Sequence, residues 1–402
     1  MSETKIKKRR TYAFPENFLW GVATSSHQVE GNNENDWTEW EKIEGHIKDG
    51  SISGRACNSY EWYEDDIRLV KELNNTAYRF SLEWSRIEPV EGQFDNEAIE
   101  HYRKIIKTCK KNNIEPIVTL NHWTVPLWFR DQRGWLNKDA PVFFRRYTQQ
   151  VVKKLGHEIN YWCTINEPMI YAFNCYLKGK WPPQKKSYFK FKKVLKNLVS
   201  AHVFAYNVIH DNYPQAKVSI AKNNQYFEAY VDNWLNRRAV NFLRNFWNHW
   251  FLKKIKDKLD YIGLNYYFHN AIFVSWNGYV NMNENKKTTD MGWEIYPAGL
   301  YHVLLELKKY RLPVIILENG LADKKDKYRA DFIKDHLRNV HKAYKAGVEI
   351  HGYCHWSLLD NFEWSDGFGP KFGLYNVDLK TFARTPRPSA QVYAEIARNN
   401  GF

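Results

Sequence analysis

The chain alternates between two kinds of segment along almost its whole length, and this alternation constrains its fold more than any other feature. Short apolar runs rich in β-branched and aromatic residues are followed by longer segments whose apolar residues recur at helical spacing. Eight strands that alternate with eight helices predict an α/β fold, a single (β/α)8 TIM barrel. The predicted strands are 18–24, 76–82, 114–120, 161–167, 218–221, 261–264, 313–317 and 352–357, and the predicted helices are 60–73, 97–112, 139–155, 189–210, 232–256, 297–310, 326–346 and 389–398.

A doubly wound open sheet is the main structural alternative to the barrel. Such a sheet is expected to carry a Gly-x-Gly-x-x-Gly turn, and the sequence has neither this turn nor any glycine-rich turn between strand and helix. No linker rich in Pro, Gly or Ser divides the chain. The sequence therefore predicts one catalytic domain over residues 1–402, of which 1–12 form a flexible, basic N-terminal segment.

The formal net charge of +14 raises the question of a nucleic-acid partner, since 59 Lys and Arg stand against 45 Asp and Glu. The lysines are spread over helix-like segments, and no Cys2His2 spacing or RNP-like aromatic motif accompanies them. A solvated basic surface explains the charge better than a nucleic-acid interface.

The five cysteines are widely spaced and form no C-x-x-C pair, which predicts reduced thiols in a cytoplasmic protein. No apolar run reaches 18 residues and no secretory h-region follows the basic N-terminus, so no membrane partner is expected. The 17 Trp, 26 Tyr and 23 Phe suit stacking against the apolar faces of ligands such as sugars, although most of these rings will lie in the core.

Polar and aromatic residues follow the predicted strands at the ends where barrel enzymes carry out their chemistry. Any one of them has a structural explanation, such as a buried core histidine or a packing tryptophan. Their common placement at one rim indicates a site. These residues are Gln28, Arg79, His122, Trp123, Asn166, Glu167, Asn265, Tyr267, Glu318, Asn319, Trp356, Glu363 and Trp364.

Two carboxylates at this rim, Glu167 closing the fourth strand and Glu318 closing the seventh, can point into one pocket. A pair of carboxyl groups on either side of a bond is the apparatus of glycoside hydrolysis, which needs their pKa values to differ. Arg79, if it reaches Glu318, would hold that group ionised as a nucleophile. Glu167, close to an anion and to apolar walls, would then stay protonated and act as the acid.

The same residues carry a resemblance to glycoside hydrolase family 1, the β-glucosidase and β-galactosidase barrels. The resemblance runs from residue 14 almost to the C-terminus, and its motifs stand in family order, which makes the set specific although each motif alone is weak. The motifs are 14–21 (FPENFLWG), 77–81 (AYRFS), 121–123 (NHW), 164–168 (TINEP), 262–267 (IGLNYY), 291–297 (MGWEIYP), 317–320 (LENG) and 356–364 (WSLLDNFEW).

The resemblance implies a retaining mechanism in which Glu167 is the acid/base and Glu318 the nucleophile. It implies that Arg79 and Tyr267 position Glu318 and that Asn166 bonds the sugar 2-hydroxyl. A retaining enzyme is expected to hold its two carboxyl groups about 5–5.5 Å apart. The remaining sugar-binding residues implied by the resemblance are Gln28, His122, Trp123, Trp356, Glu363 and Trp364.

The expected substrates are small β-glycosides or oligosaccharides with a terminal, non-reducing β-D-glucosyl group, and also β-galactosides and β-fucosides. The chemistry requires no metal, nucleotide or redox cofactor, and none is predicted. The alternative is a carbohydrate-binding barrel that has lost turnover, against which the presence of both Glu167 and Glu318 argues.

The sequence departs from the family in three places. His27 stands where the family usually has Tyr, and Leu317 precedes the nucleophile where Thr is common; both are expected to neighbour the site without taking part in it. The connection between the fifth and sixth strands is also shorter than usual. This shortening predicts a more open region around 223–250, with Trp234, Trp247 and Trp250 less covered.

Overall fold

The computed structural model describes residues 12–276 and 278–402, and its centre is a closed barrel of eight parallel strands. The predicted segment 1–12 lies outside the described residues except for Tyr12. Strands adjacent in the chain are adjacent in the barrel, and the first strand pairs with the eighth to close it, with Leu19 opposite Gly352. The predicted (β/α)8 barrel is thereby confirmed. Its strands are β1 (Leu19–Ala23), β2 (Ala77–Ser81), β3 (Glu115–Asn121), β4 (Tyr161–Asn166), β5 (Lys217–Asn223), β6 (Ile262–Asn265), β7 (Val314–Asn319) and β8 (Ile350–Trp356).

Successive side chains of each strand point alternately into the barrel and out toward the helices. Small residues such as Ala77 and Ala221 contribute to the core inside the barrel. Larger side chains such as Tyr78 and Ile220 pack in the layer between the strands and the surrounding helices. Small interior residues leave room for the long polar side chains that β2, β4 and β7 direct to the mouth of the barrel.

Helices cover the barrel on the outside, as the apolar spacing predicts. Asp95 caps the helix Asn96–Lys111 by accepting hydrogen bonds from the backbone N–H groups of Glu97 and Ala98. None of the helices in the described part of the chain combines the length and apolar character needed to cross a membrane. The outer helices are α1 (Ser59–Glu72), α2 (Asn96–Lys111), α3 (Ala140–Leu155), α4 (Tyr188–Asn212), α5 (Trp234–Leu243), α6 (Trp250–Ile255), α7 (Pro297–Leu307), α8 (Arg329–Lys345) and α9 (Pro388–Asn399).

Two strands end two residues further along the chain than the sequence predicts, and the extra residues belong to the mouth of the barrel. β5 extends to Asn223 and β7 extends to Asn319, so β7 includes Glu318. The pairing register shifts between Cys163 and Asn166 against β5, and between Ile316 and Glu318 against β6. Such irregularities redirect side chains at the end of a strand.

The connection from β5 to β6 differs from the predicted continuous helix. A π-helical turn, Arg244–His249, separates α5 from α6. A three-stranded sheet that the sequence did not predict forms from Tyr226–Ala229, His269–Ser275 and Gly278–Asn281.

The predicted opening of the region 223–250 is confirmed in part. Trp234 is 70% exposed and Trp250 is half-buried. The prediction is wrong for Trp247, which is buried with its ring packed against that of Phe173 at a centroid distance of 5.4 Å. The π-helical turn places Trp247 on the barrel side of the connection, where neighbouring segments cover it.

Candidate active site

A cavity of about 180 Å³ opens at the C-terminal ends of the barrel strands, where the sequence predicts the site. A larger cavity of about 560 Å³ lies elsewhere, and neither Glu167 nor Glu318 lines it. The smaller cavity is the candidate site because the two carboxyl groups meet there. Of the predicted site residues, Gln28, His122, Trp123, Asn166, Glu167, Tyr267, Glu318, Trp356, Glu363 and Trp364 line it.

The remaining predicted residues are fully buried and do not line the cavity; they are Arg79, Asn265 and Asn319. Arg79 holds Glu318 from within the barrel. Its guanidinium donates to Oε1 of Glu318 and to Oδ1 of Asn166, the latter at 2.7 Å. Its Nε donates to the hydroxyl of Thr119 at 3.2 Å, which fixes the plane of the guanidinium. The other carboxyl oxygen of Glu318 accepts a hydrogen bond of 2.9 Å from the hydroxyl of Tyr267.

Glu167 is held by the backbone and by neutral amides. Its φ of 44° and ψ of 57° place it in the left-handed region, directly after β4 and before Pro168. Its backbone N–H donates to the carbonyl of Ala221 at 2.8 Å, which ties the turn to β5. Its Oε1 accepts from Nδ2 of Asn265 at 2.9 Å and from Nδ2 of Asn223 at 3.1 Å.

These different donors separate the proton affinities of the two carboxyl groups. Burial raises the pKa of Glu167 to about 7, and the negative charge of Glu318 adds to that rise. Burial also raises the pKa of Glu318, but the charge of Arg79 and the hydrogen bonds from Arg79 and Tyr267 act against it. A charged donor stabilises a carboxylate more strongly than a neutral amide does, so Glu318 ionises first and Glu167 keeps its proton.

Asn166 connects the carboxyl pair to His122 on another wall of the cavity. Because its Oδ1 accepts from Arg79, its Nδ2 points away and donates to Nε2 of His122 at 3.0 Å. Burial holds the pKa of His122 well below its usual value, so the ring is neutral and carries its proton on Nδ1. Within residues 12–276 and 278–402, Nδ1 has no hydrogen-bond partner. It is available to a hydroxyl group.

The opposite wall of the cavity carries a second set of polar groups. Nε2 of Gln28 donates to Oδ1 of Asn361 at 2.8 Å, which fixes the orientation of the Gln28 amide. Oε1 of Glu363 accepts from the indole Nε1 of Trp356 at 3.3 Å. Burial raises the pKa of Glu363 to about 8. Amide and carboxyl groups at fixed positions can bond several hydroxyl groups of one ligand.

Aromatic rings form the remaining walls. The ring centroid of Trp123 lies 4.6 Å from that of Trp364 and 4.6 Å from that of Trp181. The indole Nε1 of Trp123 donates to the backbone carbonyl of Asn166 at 3.1 Å. Trp356 lies at the end of β8 and stacks with His122 at 6.0 Å. Flat apolar faces of this kind suit the apolar side of a sugar ring.

Neither of the two sequence departures at the site lines the cavity. His27 is buried behind Trp364, with the two rings stacked at 5.4 Å, and burial lowers its pKa to about 3. Leu317 is buried in the interior core of the barrel. Both are neighbours of the site, as predicted.

Several residues of the cavity were missed by the sequence analysis. Asn223 ends a strand that was predicted to stop at 221, so the signal was a polar residue two positions beyond an apolar run. Trp293 belongs to a motif that was noted without a role. Trp181 lies in the connection between β4 and α4, where no motif marks it. The other missed lining residues are Ile170, Asn174, Phe268, Met291, Asp366 and Phe372.

Comparison with known proteins agrees with this geometry. Residues 10–257 and 252–402 match the model of the family described as Glycosyl hydrolase family 1. The β-glucosidase A of Thermotoga maritima is 32% identical over 438 residues, covering 96% of this chain and 98% of that protein. The β-galactosidase of Pyrococcus woesei is 30% identical over 498 residues, covering 96% of this chain and 98% of that protein.

The solved structure of a β-glycosidase from Pyrococcus horikoshii matches with a TM-score of 0.92 at 41% identity, covering 97% of this chain and 96% of that one. The chain therefore belongs to glycosyl hydrolase family 1 and is an O-glycosyl hydrolase.

Proposed function

We propose that the protein hydrolyses terminal β-D-glucosides, and β-galactosides and β-fucosides as well, by a retaining double displacement. The observation that carries this proposal is the pair of buried carboxyl groups in one cavity, of which one is held by a cation and a phenol and the other by amides. This difference in hydrogen-bond donors matches the two roles, because a nucleophile has to be ionised and an acid has to keep its proton.

In the first step, an oxygen of Glu318 attacks the anomeric carbon and the bond to the leaving oxygen breaks. Glu167 gives its proton to that oxygen, so the aglycone leaves as a neutral alcohol. The donors Arg79 and Tyr267 keep Glu318 ionised and aimed until the new bond forms.

In the second step, water attacks the anomeric carbon of the glycosyl ester and Glu318 is released. Glu167, now a carboxylate, takes a proton from that water and returns to its starting form. The β configuration is kept because each step inverts the anomeric carbon once.

A direct, inverting attack by water needs carboxyl groups about 6.5–9.5 Å apart, to leave room for the water. Nδ2 of Asn265 donates to Glu167 at 2.9 Å and to Asn166 at 3.3 Å. Asn166 and Glu318 accept from the same guanidinium of Arg79, which favours a close pair. The predicted separation of about 5–5.5 Å stays a prediction.

The names of the two relatives favour glucosides and galactosides as substrates. Both sugars have hydroxyl groups within reach of a ring of donors and acceptors such as Gln28, His122 and Glu363. A single sugar ring between Trp356 and these polar groups also suits a cavity of about 180 Å³.

The experiment is hydrolysis of nitrophenyl β-glucoside, with the anomer of the first-formed glucose followed by NMR. We expect the β anomer first and, with a deoxyfluoro β-glucoside, a covalent label on Glu318. The α anomer first would contradict retention. Saturable sugar binding without turnover or labelling would instead support the alternative, a carbohydrate-binding barrel. Nitrophenyl galactoside and fucoside, run beside the glucoside, rank the three sugars.

We also propose that the protein works in the cytoplasm as one catalytic domain. All five cysteines are free and buried, which suits a reducing compartment. Fractionation of cells that express the protein tests the location.

A further inference from the structure

Strand β5 carries a lysine where its pattern calls for an apolar residue. Val218 and Ile220 point outward into the layer between strands and helices, whereas Ala221 points into the barrel. Lys222 continues the outward series and has no exposed surface. A lysine completely buried in such a layer is rare, because an ammonium group loses much of its hydration there.

The ammonium of Lys222 has few partners. Nζ donates to the backbone carbonyl of Asn223 at 2.5 Å and lies 5.9 Å from the ring centre of Trp247. No carboxylate oxygen of residues 12–276 or 278–402 forms an ion pair with it within 4.0 Å. A carboxylate that compensates the charge of the Lys222 ammonium therefore has to act from beyond ion-pair distance.

The two residues that flank Lys222 are the ones that bind Glu167. The carbonyl of Ala221 accepts the backbone N–H of Glu167 at 2.8 Å, and the amide of Asn223 donates to the Glu167 carboxyl at 3.1 Å. Lys222 lies between these contacts, and its ammonium is bonded to the backbone of Asn223. The cation is thus fixed to the segment that positions the carboxyl group.

We propose that Lys222 is a positioning residue for Glu167, whose buried ammonium stabilises the carboxylate that Glu167 becomes when it gives its proton to the leaving group. This role rests on the proposed function, in which Glu167 is the acid. The cation Lys222 makes Glu167 a stronger acid, whereas the anion Glu318 makes Glu167 a weaker one.

The charges around the two groups fit this role. Glu167 faces the anion Glu318 and the cation Lys222, and the charge of Lys222 lowers the pKa of Glu167. Burial lowers the pKa of Lys222 to about 7, and the charge of Glu167 acts against that fall. On the helical side, Lys222 faces His249, which lies 3.4 Å from Glu306.

Glu306 has a cationic partner of its own, Arg244, and does not neutralise Lys222. Nε of Arg244 lies 2.9 Å from Oε1 of Glu306, and His249 approaches its other oxygen. On the side of the cavity, Tyr267 is neutral because burial raises its pKa well above the usual value. Glu167 is therefore the carboxyl group left to respond to Lys222.

The test compares the pH dependence of kcat/KM in the wild type and in Lys222→Met, which keeps the unbranched stem and removes the charge. In the wild type, the falling limb reports the loss of the Glu167 proton. We expect this limb to move up by about 0.5 to 1 pH unit in Lys222→Met, because Glu167 loses a nearby cation. Lys258→Met is the matched control: Lys258 likewise lies over an aromatic ring, that of Tyr206, at 5.3 Å, and donates to Asn207 at 2.8 Å, away from the cavity.

A second readout separates the proposed role from a structural one. A weaker acid slows the departure of poor leaving groups, so kcat/KM for nitrophenyl glucoside should fall roughly 3- to 10-fold. The value for dinitrophenyl glucoside, whose leaving group needs no proton, should hardly change. A loss of packing alone would lower both values together and leave the falling limb in place, and that result would overturn the proposal.

Glu167→Gln distinguishes failure of this proposal from failure of the proposed function. If Glu167→Gln keeps wild-type turnover, the proposed function fails and the role of Lys222 fails with it. If Glu167→Gln is impaired and Lys222→Met keeps the wild-type limb, the role of Lys222 alone is wrong.

A measurement on Glu167→Gln also covers the case in which Lys222→Met does not fold. The charge of Glu167 must shift the pKa of Lys222 by as much as the charge of Lys222 shifts the pKa of Glu167, because the coupling between two sites is reciprocal. An NMR titration of the ¹³C-labelled Lys222 side chain should therefore show a lower pKa in Glu167→Gln than in the wild type. An unchanged value would contradict the proposal.

Discussion

The two carboxyl groups of the cavity are equally buried, yet the segments that hold them differ in charge. Glu318 on β7 accepts hydrogen bonds from the guanidinium of Arg79 and the phenol of Tyr267. Glu167 at the end of β4 accepts from the neutral amides of Asn265 and Asn223. Burial raises both pKa values, so burial does not divide the roles. The hydrogen-bond donors divide the roles, so substitution of either carboxyl group or of its donors tests this difference.

The largest effect is expected from Glu318→Ala. Without the nucleophile no glycosyl ester can form, and kcat should fall by roughly 10⁴- to 10⁶-fold, as when one member of a catalytic unit is removed. Azide should restore turnover from the vacated side and yield the α-glycosyl azide. A β-glycosyl azide, identified by NMR, would contradict the assignment of Glu318.

Glu167→Ala should have the next largest effect, and one that depends on the leaving group. Loss of the general acid costs about 10²- to 10⁴-fold in kcat/KM with nitrophenyl glucoside. The cost should be smaller with dinitrophenyl glucoside. Azide should now attack the glycosyl ester and yield the β-glycosyl azide, so the two variants give opposite products. Equal losses with both substrates would speak against Glu167 as the acid.

Arg79→Met removes the charged hydrogen-bond donor to Glu318. Without the cation the pKa of Glu318 should rise, so the rising limb of kcat/KM moves to higher pH, and the rate at its optimum falls by about 10²- to 10³-fold. Tyr267→Phe is the matched variant, since it removes one neutral donor from the same carboxyl group. Its shift should have the same sign and be smaller. A shift of the falling limb instead would place the effect on Glu167.

The smallest effect is expected from Glu363→Gln, and it concerns stability. The folded-state pKa of Glu363 is raised to about 8, so the folded protein holds this proton where the unfolded chain does not. The stabilisation is full below the unfolded value near 4.5 and is lost as the pH rises toward about 8. The melting temperature of Glu363→Gln should therefore drop less between about pH 5 and pH 9 than that of the wild type. Glu44→Gln, at an exposed position, should follow the wild type.

Most of the fold and the outline of the site could be predicted from the sequence, because both depend on local patterns. Apolar periodicity marks each strand and helix, and the barrel places polar residues that follow the strands at one rim. The contact between Arg79 and Glu318 was implied by the family resemblance, and it is present.

Other features depend on contacts between distant segments and left no local signal. The amide of Asn223 gains its role only because β5 lies beside β4 and brings it to Glu167. Trp247 was expected to be open because its connection is short, but a π-helical turn carries it inward against Phe173. The three-stranded sheet joins segments from both sides of β6, and neither segment marks its partner.

The indoles of Trp123, Trp181, Trp293, Trp356 and Trp364 all line the same small cavity, which makes the cavity fluorescent. A sugar ring that displaces water from these faces should shift their emission to shorter wavelength and change its intensity. Binding can then be followed without turnover and without a chemical label, in any variant that keeps the cavity intact. The aromatic walls thus provide an intrinsic fluorescence signal for ligand binding in the cavity.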